Sequence, residues 1–191
     1  MKNVMKFEFQ ARLLRKASGT SPLSRTLKKA VSILGERGIP HYVCGGYCVP
    51  EHGYPRMTIN VDLIVPDVKE AMWRLRQSGS FRKNQGSSMT VTDKETGVPV
   101  DLLQGGSTIS KGGQIPLPMP DNVSDKPVFL SLEDLISVKL SSGRLQDLAD
   151  IGKLISVNSL PRDYALDERI MEKYREVWDK AKEERRLARL S

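Results

Sequence analysis

The sequence predicts an α/β fold: a small mixed sheet flanked by helices, with a C-terminal helical region. Three observations predict it. Stretches of helical and strand periodicity follow one another in the order helix, strand, turn, strand, helix, strand, strand. Residues 57–65 alternate, with Ile59, Val61, Leu63 and Val65 on one side and Asn60, Asp62 and Ile64 on the other. In the charged stretch from Asp163 to Arg189, Ile170, Tyr174, Val177, Trp178 and Ala181 fall on one helical face, which is expected to pack on the domain or on a second copy.

Taken in order, Ser18-Gly19-Thr20-Ser21-Pro22 reads as a hinge. Leu23, Leu27, Ala30, Val31 and Leu34 then recur at helical spacing until Gly35 and Gly38, with Ser21 or Ser24 able to cap the start. His41–Cys44 is a short strand that ends in the Gly45-Gly46 turn, and a loop rich in breakers (Pro50, Gly53, Pro55) leads to the alternating strand. Pro66-Asp67 opens a second helix through Val68, Ala71, Met72 and Leu75, closed by Gly79. Residues 80–104 read as a hairpin or meander, with strands at 88–92 and 98–103. After a long Gly- and Pro-rich connection, Ser131-Leu132-Glu133-Asp134 carries a capping box before a helix to about Leu140, and another helix runs from about Arg144 to Val157. The expected organisation is a basic arm over 1–20, a catalytic-type domain over 21–157 and a charged helix over 158–191.

Composition narrows the classes. A chain of 191 residues with 39% apolar and 28% charged residues can bury a proper core. No apolar run approaches the roughly 20 residues that span a bilayer, and the first residues lack the apolar centre of a secretory signal, so a cytoplasmic protein is expected. The formal charge of +7 resides in residues 1–30, which hold eight Lys or Arg and one acid; the other 161 residues balance. A basic arm ahead of a neutral domain suits RNA or another polyanion as well as it suits a solubilising segment. Cys44 and Cys48 read as free thiols. Together with His41 and His52 they match the spacing of no common zinc module.

The chemistry concentrates between residues 44 and 65. Backbone N–H groups at a glycine pair can cradle a phosphate, because glycine permits close approach and positive φ. Asn60 and Asp62, two apart on a strand, have Cα atoms about 6.6 Å apart, so both side chains can reach one magnesium or manganese ion. Asp101 lies in the otherwise apolar run Val98–Leu103, where a charge is rarely left unpaired. Taken singly, each piece has an ordinary reading: a turn, a solvent-facing edge, a loop cap.

Together, Gly45-Gly46, then Arg56-x-Thr58-x-Asn60-x-Asp62, then Asp101 resemble the nucleotidyltransferase superfamily, in particular its minimal and abortive-infection toxin-type members. The segment 132–150, with Lys139, Arg144, Asp147 and Asp150, is similar to the helical block that follows the sheet in those proteins. The likeness spans roughly 25–157. It implies a nucleotidyltransferase-like fold and transfer of NMP from an NTP such as ATP to an acceptor hydroxyl, RNA among the candidates. It also implies Asp62 and Asp101 as catalytic, and Asp62, Asn60 and Asp101 as ligands of Mg2+ or Mn2+. Gly45, Gly46, Arg56, Thr58 and Lys139 would bind the nucleotide, while Arg144, Asp147 and Asp150 would brace the helices. Partners implied are the NTP, an RNA acceptor met by basic residues 2–29, no membrane, and a second copy or an antitoxin at the C-terminal helix. Asn60 departs from the family, which has Asp there. The alternative is therefore a weakened or inactive member that binds nucleotide or nucleic acid, or serves as a toxin–antitoxin component.

Overall fold

A computed structural model describes residues 21–109 and 113–188. The arm over 1–20 lies outside them, although Arg25 and Lys29, two of its neighbouring cations, are visible in the first helix. That helix, α1 (Pro22–Glu36), starts where Ser21 accepts the Ser24 N–H and proline occupies the first turn. Arg25 and Lys29 pair with Glu95, and Lys29 also with Asp93. These charges fasten α1 to the turn at 94–98.

Among the described residues, five strands form one sheet in the order β1-β2-β5-β4-β3: β1 (Tyr42–Cys44), β2 (Val61–Val65), β3 (Phe81–Lys83), β4 (Thr90–Asp93) and β5 (Pro99–Gln104). Among these five strands only β2 and β5 run parallel, the other neighbours being antiparallel, and Val43 of β1 makes a further parallel bridge to Phe129. Between β1 and β2 the chain makes a single helical turn, α2 (Gly45–Cys48), and a 3-10 turn (Val49–His52). Asp67 caps α3 (Val68–Gln77) and Ser131 caps α4 (Leu132–Ser142); α5 (Leu145–Asn158) and α6 (Glu168–Leu187) follow.

Both sheet faces are covered, and strand parity divides the core. Val61, Leu63 and Val65 meet α1 and α3 through Leu27, Ala30, Val31, Leu34, Ala71 and Leu75. Cys44 and Ile64 on the opposite face meet Leu135, Ile136 and Leu140 of α4, Ile151 and Leu154 of α5, and Tyr174 of α6. Each fully buried Leu or Ile contributes about 1.5–3 kcal/mol, so the helices are held chiefly by these two faces. The apolar stripe of α6 (Ile170, Tyr174, Val177 and Ala181) is buried within the chain, with Trp178 bonding the Leu160 carbonyl at 2.9 Å. Of the two settings expected for that stripe, packing on the domain is the one observed.

One expectation changes. The alternation from residue 57 does not extend the strand to 57–60, which are loop. Met57 is 94% exposed and Ile59 85%, so Ile59 is not a core residue. The ladder with β1 ends at Cys44↔Asp62, where the chain turns away at Gly45, so residues 57–60 have no antiparallel partner in that ladder. No helix among the described residues is long and apolar enough to cross a membrane.

Candidate functional site

The sheet register assembles the site. Cys44, Asp62, Asp101 and Thr90 form one row across β1, β2, β5 and β4, all on the face opposite Val61 and Leu63. The two carboxylates therefore stand side by side. Both lie within hydrogen-bond reach of a single atom: Asn60 Nδ2 donates to Asp62 Oδ1 at 3.0 Å and to Asp101 Oδ2 at 2.8 Å. Thr58 Oγ1 donates to Asn60 Oδ1 at 2.9 Å, and Thr90 Oγ1 donates to Asp101 Oδ1. These residues floor a cleft of about 450 Å³, within the usual size range of ligand sites.

Burial, and then the neighbouring charge of Asp101, push the Asp62 carboxyl up to about 6; Arg144, Lys139 and the Gly46 N–H pull the other way without prevailing. A carboxylate so placed favours any cation that reaches it.

The glycine pair serves these side chains directly. At Gly45, φ is +63°, and a Cβ there would come 2.0 Å from Asp62 Oδ2. A Cβ on Gly46 would come 2.2 Å from Arg56 Nη1 and 3.0 Å from Thr58 Oγ1. The Gly46 N–H is directed at Asp62. The turn thus makes room for Asp62 and Arg56, in addition to any phosphate it could meet.

The opposite wall is the junction of α4 and α5. Lys139 is 3% exposed, and its ammonium donates to Asp147 and Asp150 at 2.7 Å each. Arg56 Nε reaches Asp150 at 2.9 Å, tying the loop before β2 to α5. Burial acts to raise the Asp147 carboxyl, but hydrogen bonds from Lys139, Ser142 and Arg144 outweigh it and leave Asp147 below its ordinary value. Lys139 borders the cleft with its charge already balanced, whereas the Arg144 side chain, beside Asp147, is 71% exposed at the cleft mouth. The sequence places Lys139 near the triphosphate and Arg144, Asp147 and Asp150 as braces; in the structure Lys139 joins that bracing cluster, in which Arg144 also donates to Asp147 at 2.7 Å.

All eight residues singled out as site candidates (Gly45, Gly46, Arg56, Thr58, Asn60, Asp62, Asp101 and Lys139) border this cleft. Sequence reasoning missed Thr90, Ser87, Met89, Ile109, Ser142 and Gln146, which border it too. Thr90 was discoverable only through the β4–β5 register. Cys44 and Cys48 are buried free thiols, and burial raises both, Cys48 to about 12.

Among the described residues no group of three or more His, Cys, Asp or Glu side chains is placed to hold a metal ion. The two adjoining carboxylates suit an oxygen-seeking divalent cation, and the Asn60 carbonyl oxygen, which here accepts from Thr58, would join them only with the amide turned over.

No family model matches the chain, and no curated protein matches it. Among solved structures the chain is similar to the antibiotic-resistance factor ANT(2'')-Ia, with 14% identity over 85% of this chain and 91% of that one, at a TM-score of 0.49.

Proposed function

We propose that this cleft transfers a nucleoside monophosphate from an NTP to an acceptor hydroxyl. The observation that carries the reading is the in-register pair Asp62 and Asp101, both within 3.0 Å of one amide nitrogen, on the floor of a cleft with Arg144 at its mouth. The acceptor oxygen bonds to the α-phosphorus, the bond from that phosphorus to the bridging oxygen breaks, and pyrophosphate leaves. Asp101 Oδ2, on the cleft side of a carboxylate whose other oxygen is held by Thr90, takes the hydroxyl proton. Arg144 meets the phosphate tail, and Arg56 and Thr58 keep the loop beside it in place. Magnesium or manganese, held by Asp62 and Asp101 with the Asn60 carbonyl oxygen, would neutralise charge developing on the phosphate. The positive charge of residues 1–30 supports RNA as the acceptor class.

A second reading has one observation in its favour. Asn60 Nδ2 already satisfies both carboxylates, which suits a protein that binds nucleotide or nucleic acid without turnover, such as a toxin–antitoxin component. Incubation with each labelled NTP, Mg2+ or Mn2+, and total RNA or small hydroxylated acceptors separates the two. Label transfer that disappears in Asp62→Ala and Asp101→Ala is the expected result. Nucleotide binding that is indifferent to EDTA, with no transfer to any acceptor, would overturn the transfer reading.

A further inference from the structure

The amide of Asn60 has a definite orientation, and its neighbours set it. Its NH2 group faces two carboxylates and its carbonyl oxygen faces a hydroxyl donor, Thr58 Oγ1. Turned over, the amide would bring a third oxygen against Asp62 and Asp101, an arrangement that like charges penalise unless a cation lies among them. With a cation there the preference reverses, since an oxygen can ligate and an N–H cannot.

We infer that Asn60 is a built-in stand-in for the cation: its NH2 group bridges Asp62 and Asp101 while the site is metal-free, and the amide turns over to present Oδ1 when a divalent ion enters. This rests on reading the cleft as a cation-using transfer site.

Thr58 makes the turn inexpensive. Its hydroxyl now donates to Asn60 Oδ1 at 2.9 Å. With the amide reversed it accepts from Nδ2, and its own proton has the Asn60 main-chain carbonyl at 3.4 Å. The rotation also needs no strand to move, because Asn60 lies in the loop ahead of β2 and not in the ladder. Two consequences follow. The metal-free protein does not depend on a cation to keep two adjoining carboxylates together. The cation must in turn displace two hydrogen bonds, so it binds less tightly than it would to three carboxylates.

The test uses the full chain, with Mg2+ and Mn2+ alone as probes. Wild type and Asn60→Asp are compared for thermal stability in EDTA and in MgCl2, and for Mn2+ affinity by calorimetry. The expected results are a wild-type melting temperature that MgCl2 raises only slightly over EDTA, an Asn60→Asp protein that is less stable than wild type without metal and gains more from it, and Mn2+ binding about tenfold tighter in Asn60→Asp. The Asn60 side-chain amide, assigned by its loss in that variant, should exchange slowly in metal-free wild type and shift when Mg2+ saturates. Equal metal-free stability of the two proteins, unchanged affinity, or an amide signal indifferent to saturating Mg2+ would overturn the inference. If Asn60→Asp fails to fold even in MgCl2, the wild-type amide signal, assigned then by its through-space contacts with Thr58, decides. Transfer assays keep the two readings apart. Wild-type turnover with no affinity gain in Asn60→Asp removes the stand-in alone, while an affinity gain with no turnover in either protein removes transfer alone.

Discussion

Asp62 on β2 and Asp101 on β5 are direct register partners in the one parallel ladder of the sheet, so their carboxylates share a face and a neighbourhood. That closeness works against stability at neutral pH. Burial and the Asp101 charge raise Asp62 from 3.8 to about 6, which means the folded state favours its protonated form. The cost is absent below the unfolded value near 4, grows as pH rises toward 6, and is constant above that. Asp62→Asn should therefore stabilise the metal-free protein by on the order of 2 kcal/mol at pH 7.5 and by little at pH 4, while transfer falls about a hundredfold or more. Urea unfolding in EDTA across that range, beside label-transfer rates, checks both. A variant that is less stable than wild type at pH 7.5 would contradict the electrostatic account.

Lys139 and Arg144 are five residues apart in sequence and serve opposite ends of the same wall. Removing the Lys139 ammonium leaves Asp147 and Asp150 with buried charge and fewer partners, so Lys139→Met should cost about 3–5 kcal/mol of folding stability. Arg144→Gln removes a mostly exposed cation whose partner Asp147 keeps Lys139 and Ser142, so stability should change by less than about 1 kcal/mol. In contrast, KM for the NTP should rise about tenfold in Arg144→Gln, as expected for loss of a charge-assisted phosphate contact. Chemical denaturation and steady-state kinetics on the two variants test the division. Equal stability losses would show that Arg144 also braces the helices.

Much of this site was legible from local pattern. The alternation over 61–65 and the lone acid in an apolar run placed Asp62 and Asp101 on strands, and the glycine pair marked the end of β1. Where pattern misled, the reason was tertiary. Residues 57–60 alternate as a strand would, but β1 is only three residues long and turns away at Gly45, so the ladder with β2 has no partner for Asn60. The alternation there separates cleft-lining Arg56, Thr58 and Asn60 from exposed Met57 and Ile59. The strand β3, three residues at the sheet edge, shows in the sequence only as part of a general meander, because so short a segment has no periodicity to read. That Lys139 reaches both Asp147 and Asp150, while Arg144 pairs with Asp147 from the surface, depends on how α4 meets α5, which no residue pattern encodes.

The two glycines should differ in what they tolerate. Gly45→Ala places a side chain at φ +63° and drives its Cβ to 2.0 Å from Asp62 Oδ2, so the carboxylate must leave its place in the row. Backbone strain alone costs about 1–2 kcal/mol, and transfer should fall well beyond what that loss explains. Gly46→Ala meets the far end of the Arg56 side chain, which can swing aside, giving up its bond to Asp150. Its stability loss should be about 1–3 kcal/mol, since Asp150 is buried, and turnover should fall less than in Gly45→Ala because Asp62 keeps its place. Turnover measured beside urea unfolding ranks them. If Gly45→Ala turns over as wild type does, the placement of Asp62 by that turn is not what the chemistry requires.

His41 gives the protein an acid-sensitive limb that Asp62 partly conceals. Its ring is fully buried, Nδ1–H donates to the Ile39 carbonyl at 3.1 Å, and burial lowers its value below 6.5. The folded state therefore favours neutral imidazole, and the unfolded chain takes up a proton first as pH falls. The contribution is complete above pH 6.5 and is lost below it, at up to about 1.4 kcal/mol per pH unit until the native value is reached. Over much of that window the burial cost of Asp62 fades, which stabilises the fold and flattens the raw stability curve. The difference between wild type and His41→Gln isolates the histidine. Relative to its own value at pH 7.5, the variant should lose less stability than wild type between pH 6.5 and 5. Parallel curves for the two proteins across that range would mean that the His41 ring is protonated inside the fold.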